Sequence, residues 1–363
     1  MTEQRALKQL VRERMARTGE SYTTAHRHVV GPKVHRHRES ALVRRMLSVA
    51  GVELSEPMVC GLGGGIGFMY AVFDYQAVEH PLLTIVTQHH PMPWLEAVAA
   101  HLGATPTTVR SSAPEPAFVK VHQALDAGQP VLIHVARGLL PWHEDVPAAE
   151  AADAHALLLT GYEGNVLVAL DRDQHRIAQS ELGAAWAAHR QGRFALTTLT
   201  VTELPNIEDA VNHAIATTYA HLTGPVLGHA FDVNFGLSGM MRLRDDLADT
   251  STKKGWTRRF GSDLVFGMVR VRLAECLTWA HGSEGATRLV YADFLAETGR
   301  TEAAAVARKA GALWAGIADV AAAESDPSTA IPALADRVAN VYHVERALAD
   351  ALAVESPTPK DSH

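Results

Sequence analysis

The stretch HALLLTGYEGNVLVALD, residues 155–171, decides the fold of the first half of this 363-residue chain. Two runs of apolar residues flank Glu163-Gly164, a pattern that indicates a β-hairpin. The start of one hairpin strand lies beside the end of its partner, so we expect His155 and Asp171 to meet at one edge of a sheet. There, the carboxylate would accept the Nδ1 proton and leave Nε2 as a general base. The alternative is a histidine and an aspartate that cap their strands and never meet.

The pattern outward from this hairpin changes once along the chain. Strand and helix signals alternate up to residue 203 and end in hairpins, which favours an α+β domain over a doubly wound sheet. From about residue 205 onward, the long segments carry a helical period. We therefore predict an α+β domain over 1–203, a helical domain over 204–354 and a disordered tail over 355–363.

Composition excludes several classes of protein. Hydrophobic residues make up 47% and charged residues 20% of the chain, as in soluble globular proteins. A formal charge of −7 without a Lys/Arg stripe argues against nucleic-acid binding. Two cysteines, with no signal peptide and no apolar run of about 20 residues, indicate a cytoplasmic protein without a membrane span. Because the helical half is rich in alanine, we expect the protein to form a homodimer.

A Gly-rich loop, GLGGGIGF, occupies residues 61–68 and does not have the spacing of a dinucleotide-binding motif. Its backbone N–H groups at Gly63, Gly64 and Gly65 would bind an oxyanion or line an acyl pocket. The alternative is a tightly packed turn. Cys60 precedes the loop and is a candidate nucleophile, or else a small buried hydrophobic residue.

Two His-x-His pairs near the N-terminus raise the possibility of a zinc or iron site. Neither an HExxH nor a CxxC motif accompanies them, so we predict no metal or other cofactor and keep this cluster as an alternative. The four candidate ligands are His26, His28, His35 and His37.

The run HRESALVRRMLSVAGVELSEPMVCGLGGGIGF, residues 37–68, together with the hairpin at 155–171, resembles the butirosin biosynthesis protein H-like N-terminal domain family. The second half is similar to the helical domain that usually follows. This resemblance implies a papain-like cysteine-peptidase fold, and an acyltransferase that moves an aminoacyl group from a carrier protein to an amine. It also implies that His155 is the base and that Asp171 orients it. The family's nucleophilic cysteine falls on Arg38, and a guanidinium cannot attack a thioester.

Ser40 is discounted as a replacement nucleophile, because a side chain two residues further along a helix points roughly the opposite way. Three explanations for this substitution stay open. Cys60 takes over as nucleophile; or the site works without a covalent intermediate, with Arg38 and His37 binding a substrate carboxylate or phosphate; or the histidine cluster binds a metal. We predict an acyl-transfer or amide-forming enzyme of natural-product biosynthesis, acting on a small molecule and a carrier-bound acyl group. The alternatives are a non-covalent or metal-dependent enzyme and a catalytically silent binding module.

Overall fold

The computed structural model describes residue 12 and residues 36–74, 80–143, 154–280 and 282–355. The chain divides into two compact units, each discontinuous in sequence. The unit that we call the sheet unit comprises 38–59 and 94–207. The other, which we call the helical unit, comprises 1–37, 60–93 and 208–363.

The helices and strands follow one another along the chain in this order: α1 (Arg38–Val49), α2 (Glu56–Leu62), β1 (Ile66–Phe73), β2 (Leu82–Gln88), α3 (Trp94–Leu102), β3 (Ala104–Arg110), α4 (Pro114–Asp126), β4 (Val131–Ala136), β5 (Ala154–Glu163), β6 (Val166–Leu170), β7 (Gln174–Ala178), α5 (Gln179–Ala188), β8 (Ala195–Val201), α6 (Ile207–Thr223), α7 (Gly236–Ala248), α8 (Trp256–Arg259), α9 (Asp263–Thr278), α10 (Arg288–Glu297), α11 (Thr301–Ala323) and α12 (Pro327–Glu355). Two short 3₁₀ helices, Arg137–Leu139 and Ala230–Asn234, follow β4 and α6.

A six-stranded sheet with strand order β3-β8-β4-β5-β6-β7 forms the centre of the sheet unit. Every neighbouring pair in it is antiparallel. The sequence specifies its core by alternation, because successive strand residues point to opposite faces. Ile133, Leu157 and Ala169 belong to one buried cluster on one face, which also contains Phe118 from α4 and Trp186 from α5.

Helix α1 belongs to the sheet unit and begins at Arg38. Its buried side is apolar and includes Leu42, Met46 and Leu47. Gly51 ends it with a φ of 84°, and the amide of Val52 donates to the carbonyl of Leu47 at 2.9 Å. Such a left-handed residue after the last turn is a glycine C-cap. The cap fixes where the helix ends.

The helical unit contains the β1–β2 hairpin as well as helices α6 to α12. The hairpin is antiparallel. Met69 and Val86 from its two strands form a buried cluster with Phe235, the residue before α7. The hydroxyl of Tyr70 donates to Asp246 of α7 at 2.9 Å. These contacts attach the hairpin to the helices.

The predicted fold class is confirmed: an α+β sheet region is followed by a helical region. The compact units differ from the predicted domain limits in two segments, because the described residues 36–37 and 60–93 group with the helices rather than with the sheet. The predicted change near residue 204 lies close to the point, residue 208, at which the chain enters the helical unit. Glu355 is the last residue of α12, and the remainder of the predicted tail lies outside the described residues. No helix in the described ranges has the length and apolarity to cross a membrane.

Candidate functional site

The sheet unit brings His155 and Asp171 into direct contact. Leu158 pairs with Leu170 in the β5–β6 hairpin, so the start of β5 lies beside the end of β6. The two side chains follow the alternation of the buried residues Leu157 and Ala169 and therefore share their face. Nε2 of His155 lies 2.8 Å from Oδ2 of Asp171, and both residues are buried.

The ring nitrogen in this contact corrects the expectation from sequence. We expected Nδ1 to face the carboxylate, but the structure places Nε2 there. An ionised carboxylate only accepts hydrogen bonds, so Nε2 carries the proton and donates it to Asp171. The basic lone pair of His155 is therefore on Nδ1. Strand position fixes which side chains meet, whereas the rotation of the ring is set by its tertiary neighbours.

Arg38 lies at the same site. Its NH1 group is 3.4 Å from Nε2 of His155 and 3.8 Å from Oδ1 of Asp171, and it donates to the carbonyl of Ala156 at 2.8 Å. The first residue of α1, where the resemblance places the nucleophile, thus contributes a guanidinium beside His155. Oδ1 of Asp171 is buried and makes no hydrogen bond in the described structure.

Burial and charge determine the protonation of the pair. Desolvation, followed by the repulsion of the Arg38 guanidinium, lowers the pKa of His155 to about 4. For Asp171, burial alone would raise the pKa. The hydrogen bonds from His143 and His155 and the Arg38 charge outweigh it and hold that pKa far below its ordinary value. At neutral pH the site therefore contains a neutral imidazole and an ionised carboxylate.

Two further side chains at this site were missed by the sequence reasoning. Nε2 of His143 lies 2.9 Å from Oδ2 of Asp171, and Nε1 of Trp142 donates to the same oxygen at 3.1 Å. The Trp142 ring stacks on His175 with centroids 4.1 Å apart, and the His143 ring meets His155 edge-on. The sequence did contain a signal for these two residues. They follow soon after β4, and β4 ends at the edge of the sheet where β5, the strand of His155, begins.

These side chains also supply a set of metal-ligand types. In the described part of the chain, His143, His155 and Asp171 are the group of three whose ligand atoms lie within 4.8 Å of one another. A neutral histidine and an ionised carboxylate are competent ligands. Arg38 opposes a cation there, because its NH1 lies 3.4 Å from one candidate ligand atom.

Cys60 and His37 lie in the helical unit, whereas His155 lies in the sheet unit. Cys60 is completely buried near the end of α2. His37 is also buried, and its Nε2 is 2.8 Å from Oε1 of Gln88. The role of Cys60 as nucleophile and that of His37 in substrate binding stay predictions.

The Gly-rich loop is closely packed within the helical unit. A Cβ atom on Gly61 would lie 2.2 Å from the Phe294 ring, and one on Gly65 would lie 2.2 Å from the Tyr291 ring. Gly63 and Gly64 are buried as well. This packing is what the tight-turn alternative expects, and a role of Gly63, Gly64 and Gly65 in an acyl pocket stays a prediction.

The described residues include one of the four members of the predicted histidine metal cluster. His26, His28 and His35 lie outside the described residues. His37, the fourth member, is the histidine that contacts Gln88.

Fold and site together define a class: an α+β domain whose hairpin presents a buried His–Asp pair to the first turn of a helix. Residues 37–171 match the family described as butirosin biosynthesis protein H, N-terminal. The resemblance predicted from the sequence is thus confirmed for residues 37–171, the part of the chain that the family model matches.

A solved structure titled as a putative C39-like peptidase from Bacillus anthracis shows 16% sequence identity and a TM-score of 0.31. The match covers 48% of this chain and 92% of that chain. Similarity at this level has no bearing on activity. No curated protein matches the chain.

Proposed function

We propose that this protein is an acyl-transfer or amide-forming enzyme of specialised metabolism that works without an enzyme-bound acyl intermediate. Its donor would be an acyl thioester, presented on a carrier protein. The supporting observation is the Arg38 guanidinium beside a neutral His155 that donates to Asp171. The site has a base and an orienting carboxylate, and a cation in place of a nucleophile.

The acceptor itself supplies the nucleophile in this reaction. Nδ1 of His155 accepts a proton from the amine as its nitrogen attacks the thioester carbonyl and forms the new C–N bond. The C–S bond then breaks, and the imidazolium returns the proton to the departing thiolate. Positioning a bound amine against a bound thioester supplies a large part of the acceleration without covalent catalysis.

Asp171 acts through His155 rather than on the substrate. Its carboxylate holds the Nε2–H tautomer and stabilises the imidazolium that forms during attack. Trp142 and His143 donate to the same carboxylate oxygen. They fix the position of the carboxylate and, with it, the orientation of the imidazole.

Replacement of His155 tests the proposal. We expect His155→Ala to lower thioester aminolysis about 100-fold or more, the usual contribution of a general base. The rate is measured by mass spectrometry with acyl N-acetylcysteamine thioesters and primary amines. His101→Ala is the matched control, because His101 bonds to the backbone of its own helix α3. Equal rates in His155→Ala and wild type would remove His155 from the mechanism.

A second experiment tests whether a thiol of the enzyme takes part in the reaction. We expect Cys60→Ala to keep the wild-type rate, and intact-protein mass spectra to show no acyl adduct during turnover. An adduct that disappears in Cys60→Ala would restore the thiol mechanism. Binding of the thioesters without any turnover would instead favour a silent binding module.

A metal-dependent enzyme is the second candidate. It is favoured by the convergence of His143, His155 and Asp171 within 4.8 Å and opposed by the charge of Arg38. Elemental analysis of the purified protein decides between them. Stoichiometric zinc, iron or manganese that is lost in His143→Ala would support the metal site, whereas activity in metal-free protein would exclude it.

A further inference from the structure

Four basic residues lie on one continuous surface of the sheet unit. Arg110 ends β3, Lys120 lies in α4, and Arg190 and Arg193 lie in the turn between α5 and β8. NH1 of Arg110 donates to the carbonyl of Gln191 in that turn at 2.8 Å. Nζ of Lys120 donates to the carbonyl of Arg110 at 3.1 Å. These contacts join the strand, the helix and the turn, and we call the four residues the basic patch.

The cations of the basic patch have no acidic partner in the described ranges. The side chains of Arg110 and Lys120 donate to backbone carbonyls, and no ion pair joins any of the four to a described carboxylate. Arg110, Arg190 and Arg193 are exposed, and Lys120 is half-buried. Guanidinium and ammonium groups retain several donors when one is used, so the patch can pair with carboxylates of another molecule.

The turn that carries two of these cations is held in place by its neighbours. Nε1 of Trp186 donates to the carbonyl of Gly192 at 3.2 Å, and a Cβ atom on Gly192 would lie 2.7 Å from the His189 ring. Phe194 is buried and has a φ of 52°. A turn that is fixed by packing loses little conformational freedom on binding, which favours its use as a docking surface.

The basic patch lies at the same end of the sheet as His155. Arg110, the last residue of β3, pairs with the first residue of β8, and β8 lies between β3 and β4. Val135, near the end of β4, pairs with His155 at the start of β5. The end of β3 is thus three strands from the start of β5, or roughly 14 Å at about 4.8 Å per strand.

We propose that the basic patch docks an acidic face of a partner protein, the carrier that presents the thioester to His155. That the partner is a carrier rests on the function proposed above. A carrier holds its acyl group at the end of a flexible arm, so its own surface lies some distance from the reacting carbonyl, as the patch does. Complementary charge at such a distance speeds encounter and fixes orientation. The formal charge of −7 on the chain disfavours a long polyanion such as nucleic acid, which would extend beyond the patch.

Fluorescence anisotropy of a fluorescein-labelled apo acyl carrier protein, titrated with the full-length protein, tests the docking. We expect binding at low salt that is lost at an ionic strength of about 1 M, where the Debye length is about 3 Å. The patch variant changes all four cations to Gln and should raise Kd about tenfold or more, because four charge pairs are lost together. Arg190→Glu is a second variant. The Arg190 side chain forms no hydrogen bond or ion pair in the described structure, so this reversal should weaken binding and leave the circular dichroism unchanged.

The control variant removes the same number of cations from the helical unit. The four residues are exposed and are each changed to Gln: Lys253, Lys254, Arg258 and Lys309. Both variants alter the formal charge of the chain by the same amount. We expect the control variant to keep the Kd of wild type.

Several outcomes would overturn the proposal. They are an unchanged Kd in the patch variant and in Arg190→Glu, an equal loss in the control variant, and binding that salt does not weaken. Tighter binding of a DNA duplex or of anionic lipid vesicles through the same four residues would replace the protein partner. Segment 144–153 carries four acidic residues and lies outside the described residues. Docking that appears only after these four are changed to amides would show that the segment neutralises the patch, and would also overturn the proposal.

This experiment separates the docking surface from the proposed function, because it uses neither a thioester nor an amine. Docking by a protein that shows no turnover would count against the proposed function and leave this inference standing. Turnover of N-acetylcysteamine thioesters by a protein that does not dock the carrier would overturn this inference and leave the function standing.

Discussion

At the scale of single residues, one oxygen of Asp171 organises the site. Oδ2 accepts from His155 at 2.8 Å, from His143 at 2.9 Å and from Trp142 at 3.1 Å. Three donors on a buried carboxylate stabilise its ionised form strongly. Its depressed pKa means that this contribution is present above the unfolded-state value near 4 and is lost as the pH falls below it.

Protonation of His155 changes the free energy of unfolding at a higher pH than protonation of Asp171 does. Its folded-state pKa of about 4 lies below the unfolded value of about 6.5. The unfolded chain therefore binds this proton first as the pH falls from 6.5 to 4, and the free energy of unfolding decreases. We expect acidification from pH 7 to pH 4.5 to lower the free energy of unfolding by roughly 2 to 3 kcal/mol through this residue.

Urea denaturation of wild type and His155→Gln at the two pH values measures this effect. Glutamine cannot take up the proton, so the variant should lose less stability on acidification. The histidines outside this site contribute equally to both proteins and cancel in the difference. An identical loss in the two proteins would contradict the low pKa of His155.

At the scale of elements, close packing defines the loop between α2 and β1. Gly65 has a φ of 57°, and a Cβ atom there would lie 2.2 Å from the Tyr291 ring. A side chain at this position would destabilise the folded state in two ways, through the left-handed backbone conformation and through the collision with the Tyr291 ring. We expect Gly65→Ala to lower the free energy of unfolding by about 2 to 4 kcal/mol.

Gly299→Ala is the matched control for this element. Gly299 has a φ of 82°, yet a Cβ atom there meets nothing within 4 Å. Gly299→Ala should lower the free energy of unfolding by only about 1 kcal/mol, which is the cost of the left-handed backbone conformation alone. The two variants are compared by urea denaturation, and equal losses would show that contact with Tyr291 is not what requires a glycine at position 65.

At the scale of the whole molecule, a buried ion pair joins distant segments of the helical unit. Nε of Arg288 in α10 lies 2.7 Å from Oε1 of Glu345 in α12, and Trp314 of α11 donates to the same oxygen at 2.6 Å. NH1 of Arg288 donates to the carbonyl of Thr87 in β2 at 2.8 Å. This network links β2 to three helices of the same unit.

Removing one partner of this pair leaves a buried charge. We expect Glu345→Gln to lower the free energy of unfolding by about 3 to 5 kcal/mol, because Arg288 is completely buried. Glu163→Gln is the control: it breaks an exposed pair with Arg176 and should cost less than about 1 kcal/mol. Similar midpoints in urea for the two variants would contradict the importance of the buried pair.

The sequence by itself determined the hairpin of residues 155–171 and the change to helices near residue 204. These features depend on alternation, helical period and turn residues, which act between near neighbours in the chain. The same local geometry was sufficient to predict the meeting of His155 with Asp171.

Only the tertiary structure decided the rest of the site. It placed Nε2 rather than Nδ1 at the Asp171 contact, added His143 and Trp142, and brought Arg38 next to His155. It also grouped residues 60–93, with the buried Cys60, in the helical unit. These outcomes depend on contacts between segments far apart in sequence and on desolvation in the folded state, and neither leaves a periodic signal in the chain.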